Sequence, residues 1–180
     1  MKALIFDTET TGLLKHPSAK PSVQPRVIEF GGLLVDVATG EELARLSLLI
    51  NPGTKLDAVI TRITGLTDED LKDAPPFSAA QRDILPLFEA ADVMIAHNLP
   101  FDVGVIEMDL ARCGVVWGRW PRWQLCTVQE HAESWGKFPK LTALYEAVIG
   151  EPLAQSHRAI EDVEALWRVC VETKLLENLP

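Results

Sequence analysis

The sequence predicts an α/β domain in which helices flank a mixed sheet, with three antiparallel strands followed by parallel strands. Two observations favour this class. The first 50 residues hold three short apolar segments, and a short turn joins the second to the third, which indicates antiparallel pairing. Further along, segments with helical periodicity alternate with short apolar runs, which is typical of helices packed on a sheet. Because 47% of the 180 residues are hydrophobic and can supply one core, we expect one domain over residues 1–180.

The three opening strands are predicted over residues 2–9, 26–36 and 43–50. Each is short and apolar and is followed by turn residues, which favours a strand over a helix. The first two strands are separated by residues 13–26, a proline-rich segment without periodicity. This connection is longer than usual, so we expect a loop that is either mobile or functional.

Most of the remaining chain is predicted to be helical. One or two helical turns are expected over residues 58–67, ended by Gly65. The acidic run 68–70 is interpreted as a solvated helix start, where the helix dipole favours negative charge, with a metal role as the alternative. Ser78 is predicted to cap the next helix, and Pro86 to kink it. Asn98 is expected to cap a later helix. Helices are predicted over residues 78–90, 99–112, 127–135, 141–148 and from about residue 157, with a buried strand over 93–96.

A run rich in tryptophan and arginine occupies residues 115–125. Aromatic rings interleaved with arginine can stack nucleic-acid bases and hold phosphates. Exposed tryptophan can equally form a subunit contact or fold back on the core. The residues concerned are Trp117, Trp120, Trp123, Arg119 and Arg122.

The formal net charge of −9 argues against a protein that coats nucleic acid by bulk charge, although an enzyme that grips a few nucleotides through metal ions remains compatible with it. Three cysteines without CxxC spacing suggest neither a disulfide framework nor a zinc site. No apolar stretch approaches the ~18 residues of a membrane span. We therefore expect a soluble, cytoplasmic protein with no membrane partner.

Two carboxylates end the first strand, Asp7 and Glu9. Side chains at positions i and i+2 of a strand lie on the same face, so both can point into one site. Convergent carboxylates suit hard divalent cations such as Mg²⁺. Roughly three or four acidic-x-acidic triplets should occur by chance in a chain with 26 acidic residues, so the pattern alone is also compatible with a solvated strand end.

The context of these acids is more specific. Three segments, Phe-Asp-Thr-Glu-Thr-Thr-Gly-Leu, Ala-His-Asn-Leu-Pro-Phe-Asp and His-Arg-Ala-Ile-Glu-Asp, begin at residues 6, 96 and 157. They resemble the three exonuclease motifs of the DnaQ-like, DEDD-type 3′-to-5′ exonucleases. The five-residue spacing from His157 to Asp162 matches the histidine variant of that superfamily. The resemblance spans the chain from Asp7 to its final helix.

The resemblance implies a ribonuclease H-like fold and stepwise hydrolysis from a 3′ end, releasing nucleoside 5′-monophosphates. It implies that two Mg²⁺ ions, or Mn²⁺ in their place, are held by Asp7, Glu9, Asp102 and Asp162, with His157 as the general base. Two such ions can activate water and stabilise the leaving oxygen. An unperturbed imidazole titrates near pH 6.5 and can accept that proton. Without the motif, His157 would read as an exposed residue at a helix start.

Further positions resemble the contacts that this family makes with the terminal nucleotide: Thr10, Thr11, Ile63, Thr64, Leu66, Asn98 and Phe101. Many relatives carry histidine where Thr64 stands. His97 belongs to the second motif, and we interpret it as structural. The expected substrate is a nucleic-acid 3′ end, with single-stranded DNA favoured. The alternatives are an RNA-trimming exoribonuclease, a proofreading module that associates with a polymerase or with itself, and a catalytically silent binding module.

Overall fold

A computed structural model describes residues 1–135, 138–153 and 157–177. Within those ranges the strands are β1 (Lys2–Thr10), β2 (Val27–Asp36), β3 (Glu42–Leu49), β4 (Val93–Ala96) and β5 (Trp123–Cys126). The helices are α1 (Ala58–Thr64), α2 (Asp68–Leu71), α3 (Phe77–Ala90), α4 (Leu99–Arg112), α5 (Thr127–Trp135), α6 (Leu141–Ile149) and α7 (Ala159–Glu172). Among the described residues, no helix combines the length and the apolar character needed to cross a membrane.

The five strands form one sheet in the order β3-β2-β1-β4-β5. The pairs β1–β2 and β2–β3 are antiparallel, whereas β1–β4 and β4–β5 are parallel. This arrangement confirms the predicted mixed sheet of three antiparallel strands followed by parallel strands. It also places β1, the strand that carries Asp7 and Glu9, at the centre of the sheet.

Helices cover both faces of the sheet because β1 alternates its buried side chains between them. Leu4 and Phe6 belong to a core formed with α3 and α4. Ala3 and Ile5 belong to a second core, formed mainly with α7. The odd-numbered side chains of β1 therefore face α7, and the even-numbered ones face α3 and α4.

Several helix boundaries differ from the predictions. Ser78 is not an N-cap, because Pro76 takes that position one residue before α3 begins. Asn98 does stand at the N-cap of α4, but its side chain makes no capping hydrogen bond. The last helix begins at Ala159 rather than near His157. The predicted stop at Gly65 is confirmed by its left-handed φ of 73°.

The proline-rich loop before β2 is fastened to α4. Arg112 donates hydrogen bonds from its guanidinium to the carbonyl oxygens of Pro21, Gln24 and Pro25, at 2.9, 2.6 and 3.0 Å. Asp109 holds the same guanidinium through a 2.5 Å ion pair and accepts a 2.8 Å hydrogen bond from the Val27 amide. These contacts fasten the loop to the end of α4.

Gly31 in β2 allows α7 to approach the sheet closely. A Cβ at this position would stand 2.5 Å from the carbonyl carbon of Ala159 and 2.6 Å from the amide nitrogen of Ile160. Both are backbone atoms, so neither can move aside alone. Gly31 is also the register partner of Asp7, so the close approach occurs beside the acidic strand end.

We predict that Gly31→Ala destabilises the protein by about 1–3 kcal/mol, the usual cost of forcing extra volume into a packed core. Chemical denaturation measures the free energy of unfolding. Gly118→Ala is the matched control, because a Cβ there meets nothing within 4 Å, and it should change that free energy by less than about 0.5 kcal/mol. Equal effects of the two substitutions would contradict the close approach of α7.

Candidate active site

The site begins at the end of β1, where Asp7 and Glu9 both point towards α7. Both side chains are half-buried. In the antiparallel register with β2, Asp7 stands opposite Gly31 and Glu9 opposite Glu29. Pairing with β2 fixes the backbone that carries the two carboxylates, whereas the pairing with β4 ends at Ile5.

Asp102 comes to the site from the first turn of α4 and is fixed there by Thr8. The buried Oδ1 of Asp102 accepts hydrogen bonds from the Thr8 amide at 3.1 Å and from the Thr8 hydroxyl at 2.6 Å. Thr8 faces α4 because it alternates with Asp7 and Glu9 along the strand. Asp7, Thr8 and Glu9 are consecutive in β1. Asp7 and Glu9 carry their own carboxylates on the α7 side of the sheet, and Thr8 holds the carboxylate of Asp102 on the α4 side.

Asp162 and His157 come from the start of α7. Asp162 is buried in the first turn, and His157 lies two residues before the helix with a left-handed φ of 52°. Glu9, His157 and Asp162 each offer one potential ligand atom, and these three atoms lie within 4.8 Å of one another. The structure thus brings the first and third sequence motifs into direct proximity.

The carboxylates repel one another strongly. Burial raises the pKa of Asp7 well above its usual value, and the charges of Asp102 and Glu9 raise it further. Burial and the charge of Asp162 raise the pKa of Glu9 to about 8. Burial likewise raises the pKa of Asp102, although the hydrogen bonds from Thr8 act in the opposite direction. A cluster of oxygen donors with this excess of negative charge fits hard divalent cations.

The cluster opens into a cleft of about 710 Å³. The cleft is lined by all five predicted catalytic residues and by two of the predicted substrate contacts, which are Asp7, Glu9, Asp102, His157, Asp162, Asn98 and Phe101. Its other wall comes from the start of α5 and the segment before α6, with Gln129, Phe138 and Lys140 among its residues. Phe138 is 73% exposed, which is unusual for a large apolar side chain.

The remaining predicted substrate contacts do not line this cleft. The Thr10 hydroxyl donates to the Gly12 carbonyl at 2.8 Å, and the Thr11 hydroxyl accepts from the Arg26 amide at 2.9 Å. Thr64 is buried and donates to the Ile60 carbonyl at 3.0 Å. Leu66 is buried in a small apolar cluster, whereas Ile63 is 48% exposed.

His97 is held at both ring nitrogens, in agreement with its structural interpretation. Its Nδ1 lies 2.9 Å from the Thr127 hydroxyl and its Nε2 lies 3.0 Å from the Pro139 carbonyl. Burial lowers the pKa of His97, which favours the neutral imidazole. The ring thereby connects the end of β4 to the opposite wall of the cleft.

The tryptophan and arginine run lies outside the cleft. Trp117 and Trp120 pack against the core on the α3 and α4 side, and the Trp120 ring meets Phe88 edge-on at 4.9 Å between centroids. Arg119 lies over Trp117 at 4.7 Å. Of the three interpretations of this run, the structure supports folding back on the core for these two tryptophans.

Sequence reasoning missed several residues that shape the site. Thr8 lies within the first exonuclease motif and was not singled out. Its alternation with Asp7 and Glu9 along the strand predicts that its side chain faces the opposite side of the sheet. Glu29 and Arg158 form an ion pair beside Glu9 that depends on strand register. Phe138 and Lys140 showed no pattern that would have singled them out.

Four carboxylates and a histidine converge at the edge of a mixed sheet flanked by helices, and together they define a nuclease of the ribonuclease H-like fold. The chain belongs to the exonuclease family RNase_T, whose profile matches residues 4–170. This match confirms the exonuclease family that the three sequence motifs indicated.

Two bacterial relatives share the full extent of the chain. The 3′-5′ exonuclease DinG of Bacillus subtilis is 27% identical over 98% of this chain, which covers 18% of DinG. A PolC-type DNA polymerase III of Bacillus cereus is 32% identical over 98% of this chain, which covers 11% of that protein. The chain thus spans less than a fifth of the length of either relative.

Solved structures share the fold at lower identity. The nuclease domain of 3′hExo, a DEDDh family member bound to rAMP, superposes with a TM-score of 0.74 at 16% identity and covers 98% of this chain and 92% of that domain. E. coli Exonuclease I in complex with a dA16 oligonucleotide gives a TM-score of 0.76 at 17% identity and covers 97% of this chain and 41% of that one.

The raised pKa values predict how stability depends on pH without metal. Folded Glu9 stays protonated up to about pH 8, whereas the unfolded residue ionises near 4.5, so the folded state holds the extra proton between these limits. The free energy of unfolding should therefore fall as pH rises through this window. Each unit of pKa shift corresponds to ~1.4 kcal/mol of stability, and solvent screening reduces this contribution. Glu9→Gln should therefore raise the free energy of unfolding at pH 8 in EDTA by about 1–3 kcal/mol.

Thermal and chemical denaturation in EDTA at pH 5 and pH 8 measure this dependence. Glu41→Gln, at an exposed position before β3, is the matched control and should leave the slope unchanged. Added Mg²⁺ should restore stability at pH 8 in the wild type more than in Glu9→Gln. A wild-type stability that rises between pH 5 and pH 8 in EDTA would contradict the electrostatic account of the site.

Proposed function

We propose that this chain removes nucleoside 5′-monophosphates one at a time from the 3′ end of nucleic acid, with single-stranded DNA as the favoured substrate. The observation that carries the proposal is the convergence of Asp7, Glu9, Asp102, Asp162 and His157 in one open cleft. The direction is supported by the relative named as a 3′-5′ exonuclease. Single-stranded DNA is supported by the oligonucleotide bound to the structural neighbour Exonuclease I.

The acidic cluster is suited to two Mg²⁺ ions, with Mn²⁺ able to substitute. Asp7, Glu9, Asp102 and Asp162 would hold them, because their combined charge offsets most of that of two divalent cations. Bound in this way, the ions would supply charge neutralisation at the phosphate and a more acidic water. The raised pKa values of Asp7 and Glu9 support this role, since burial and the neighbouring acids leave negative charge there that a cation would offset.

The protein residues divide the remaining work. Thr8 keeps the Asp102 carboxylate in a single orientation through two hydrogen bonds. His157 is half-buried and lines the cleft, so its imidazole can accept the proton of the attacking water. The charges of Asp102, Glu9 and Asp162 all raise the pKa of Asp7, so Asp7 interacts electrostatically with each of the other acids. Asp7 would therefore be central to holding the ions.

The cleft walls are suited to a short unpaired strand. Asn98 and Phe101 on α4 are proposed to meet the terminal nucleotide, and exposed Ile63 to extend that contact beyond the cleft. Across from α4, Phe138 offers an aromatic surface and Lys140 a cation, the two features that hold single strands without reading their sequence. Thr10, Thr11, Thr64 and Leu66 are proposed to shape the nucleotide-binding segments from within.

A working context is also proposed. The PolC-type relative is named as a polymerase, so association with a polymerase, or with a second copy of the chain, is a compatible arrangement. The three cysteines are free thiols, in keeping with the reducing conditions of the cytoplasm.

Digestion of 5′-labelled oligonucleotides tests this function. We expect Mg²⁺-dependent shortening in single-nucleotide steps, faster on single-stranded DNA than on a blunt duplex of the same sequence. The physical reason is that the terminal phosphodiester must reach the carboxylates inside the cleft, which a paired end does not do without fraying. A matched RNA strand identifies the preferred sugar, and faster RNA digestion would reassign the chain as an exoribonuclease. Long internal fragments, or equal rates on blunt duplex, would contradict the proposal.

We predict that His157→Ala lowers turnover by about 10²- to 10⁴-fold, the usual contribution of a positioned general base. Calorimetric Mg²⁺ titration should show far less loss of affinity in this variant than in Asp162→Ala, because all four carboxylates remain. The pH dependence of kcat should differ between the wild type and His157→Ala, because the variant lacks the proposed base. An unchanged pH profile, or a loss of Mg²⁺ affinity equal to that of Asp162→Ala, would remove His157 from the role of base.

A further inference from the structure

Glu29 is a buried carboxylate outside the cleft. It is 0% exposed and stands opposite Glu9 in the register of β1 and β2. A carboxylate in such a position is costly unless a partner compensates its charge. Arg158 supplies that partner with two nitrogens: Nε lies 3.0 Å from Oε1 and 3.2 Å from Oε2, and Nη2 lies 2.9 Å from Oε1. The planar guanidinium thus grips both carboxylate oxygens.

Arg158 connects this buried carboxylate to the start of α7. It is the N-cap residue of the helix, and its carbonyl accepts hydrogen bonds from the amides of Glu161 at 2.9 Å and Asp162 at 3.1 Å. The Ala159 amide adds a 3.4 Å hydrogen bond to Glu29 Oε2. Arg158 therefore links two parts of the structure. Its side chain binds Glu29 on β2, and its backbone carbonyl holds the first turn of α7, which carries Asp162.

His157 precedes this anchor in an unfavourable conformation. A φ of 52° is uncommon for a residue with a side chain and persists only where the surroundings hold it. The neighbouring Arg158 is fixed by Glu29, and Ala159 is pressed against Gly31. Both contacts come from β2, which pairs directly with the strand that carries Asp7 and Glu9.

We propose that the Glu29–Arg158 pair is a positioning device, which holds His157 and Asp162 at the correct distance from Glu9. The proposal rests on the exonuclease function proposed above. Neither Glu29 nor Arg158 is among the residues that line the cleft, so the pair acts through the residues it places and not on the substrate. The shape of the guanidinium is essential to this role, since lysine offers a point charge that cannot grip both oxygens in one plane.

Charge and geometry can be separated by two variants. Arg158→Lys retains the positive charge but loses the planar grip. The double variant Glu29→Gln, Arg158→Met retains the net charge of the pair and removes the buried ions, a replacement that proteins often tolerate in stability. If the pair served only to balance charge or to stabilise the fold, both variants would keep full activity at a temperature where they are folded.

Arg45→Lys provides the matched control. Arg45 on β3 also connects the sheet to α7, through an ion pair with Glu164, and it pairs with Glu42 at 2.8 Å. All three side chains of this network are exposed, and the pairing meets α7 away from its first turn. The control therefore removes a planar grip on the carboxylate of Glu42, at an arginine that also joins the same sheet to the same helix through Glu164.

The experiment measures kcat and KM on a single-stranded DNA oligonucleotide, the Mg²⁺ affinity of the substrate-free protein by calorimetry, and the unfolding temperature. Arg158→Lys and the double variant should each lower kcat by about 10- to 100-fold and weaken Mg²⁺ binding by a similar factor, the usual effect of losing a residue that orients metal ligands. KM should change by less than about twofold, because the cleft walls are intact. Arg45→Lys should leave kcat, KM and the Mg²⁺ affinity near wild type.

Both variants retaining kcat and Mg²⁺ affinity within about twofold of the wild type would overturn the proposal, because outer-shell residues that orient ligands normally cost more than this. The proposal would also be overturned if the double variant lost activity only at temperatures where it unfolds. If the wild type degraded no nucleic acid yet Arg158→Lys still weakened Mg²⁺ binding, the exonuclease function would fall while the positioning role stood. The two failures are therefore distinguishable.

Discussion

Four carboxylates share one cleft, and the repulsion among them is the interaction on which the rest of the structure depends. Desolvation and the neighbouring charges raise the pKa of Asp7 and Glu9, so the folded chain without a cation holds these groups at a cost. Bringing them together requires elements that are stable for other reasons. The central position of β1, paired on both sides and buried between two apolar cores, supplies that stability.

Because the carboxylates repel one another, each is held in place by its own contacts, and these contacts come from both faces of the sheet. Thr8 fixes Asp102 from the α4 side of the sheet, through both its amide and its hydroxyl. On the α7 side, Gly31 permits close contact with the helix start and Glu29 binds Arg158. Mutual repulsion would otherwise drive the carboxylates apart, and loosely held ligands bind metal poorly. The site is therefore a property of the whole sheet and of the two helices packed on it.

Local sequence carried much of this architecture. The i, i+2 spacing of Asp7 and Glu9 needs only the geometry of a strand, and the placement of Asp102 needs only the first turn of α4, so both could be predicted. The cap of α3 could not, because the choice between Pro76 and Ser78 depends on how the chain arrives from the preceding loop. The Glu29–Arg158 pair joins residues 129 positions apart and depends on the register of β1 with β2, which no local pattern specifies. Packing likewise decided the position of Trp120, which meets Phe88 in the core.

The most direct test of the account is the rate of mononucleotide release by wild type and Asp7→Asn, titrated with Mg²⁺ from EDTA to saturation. Asp7 is the acid whose pKa responds to all the others, so its neutral isostere should fold while losing a carboxylate that would hold the cations. The account predicts no release in EDTA, full activity of the wild type in Mg²⁺, and no measurable recovery of Asp7→Asn at any Mg²⁺ concentration. Near wild-type turnover in folded Asp7→Asn, or release by the wild type in EDTA, would contradict it.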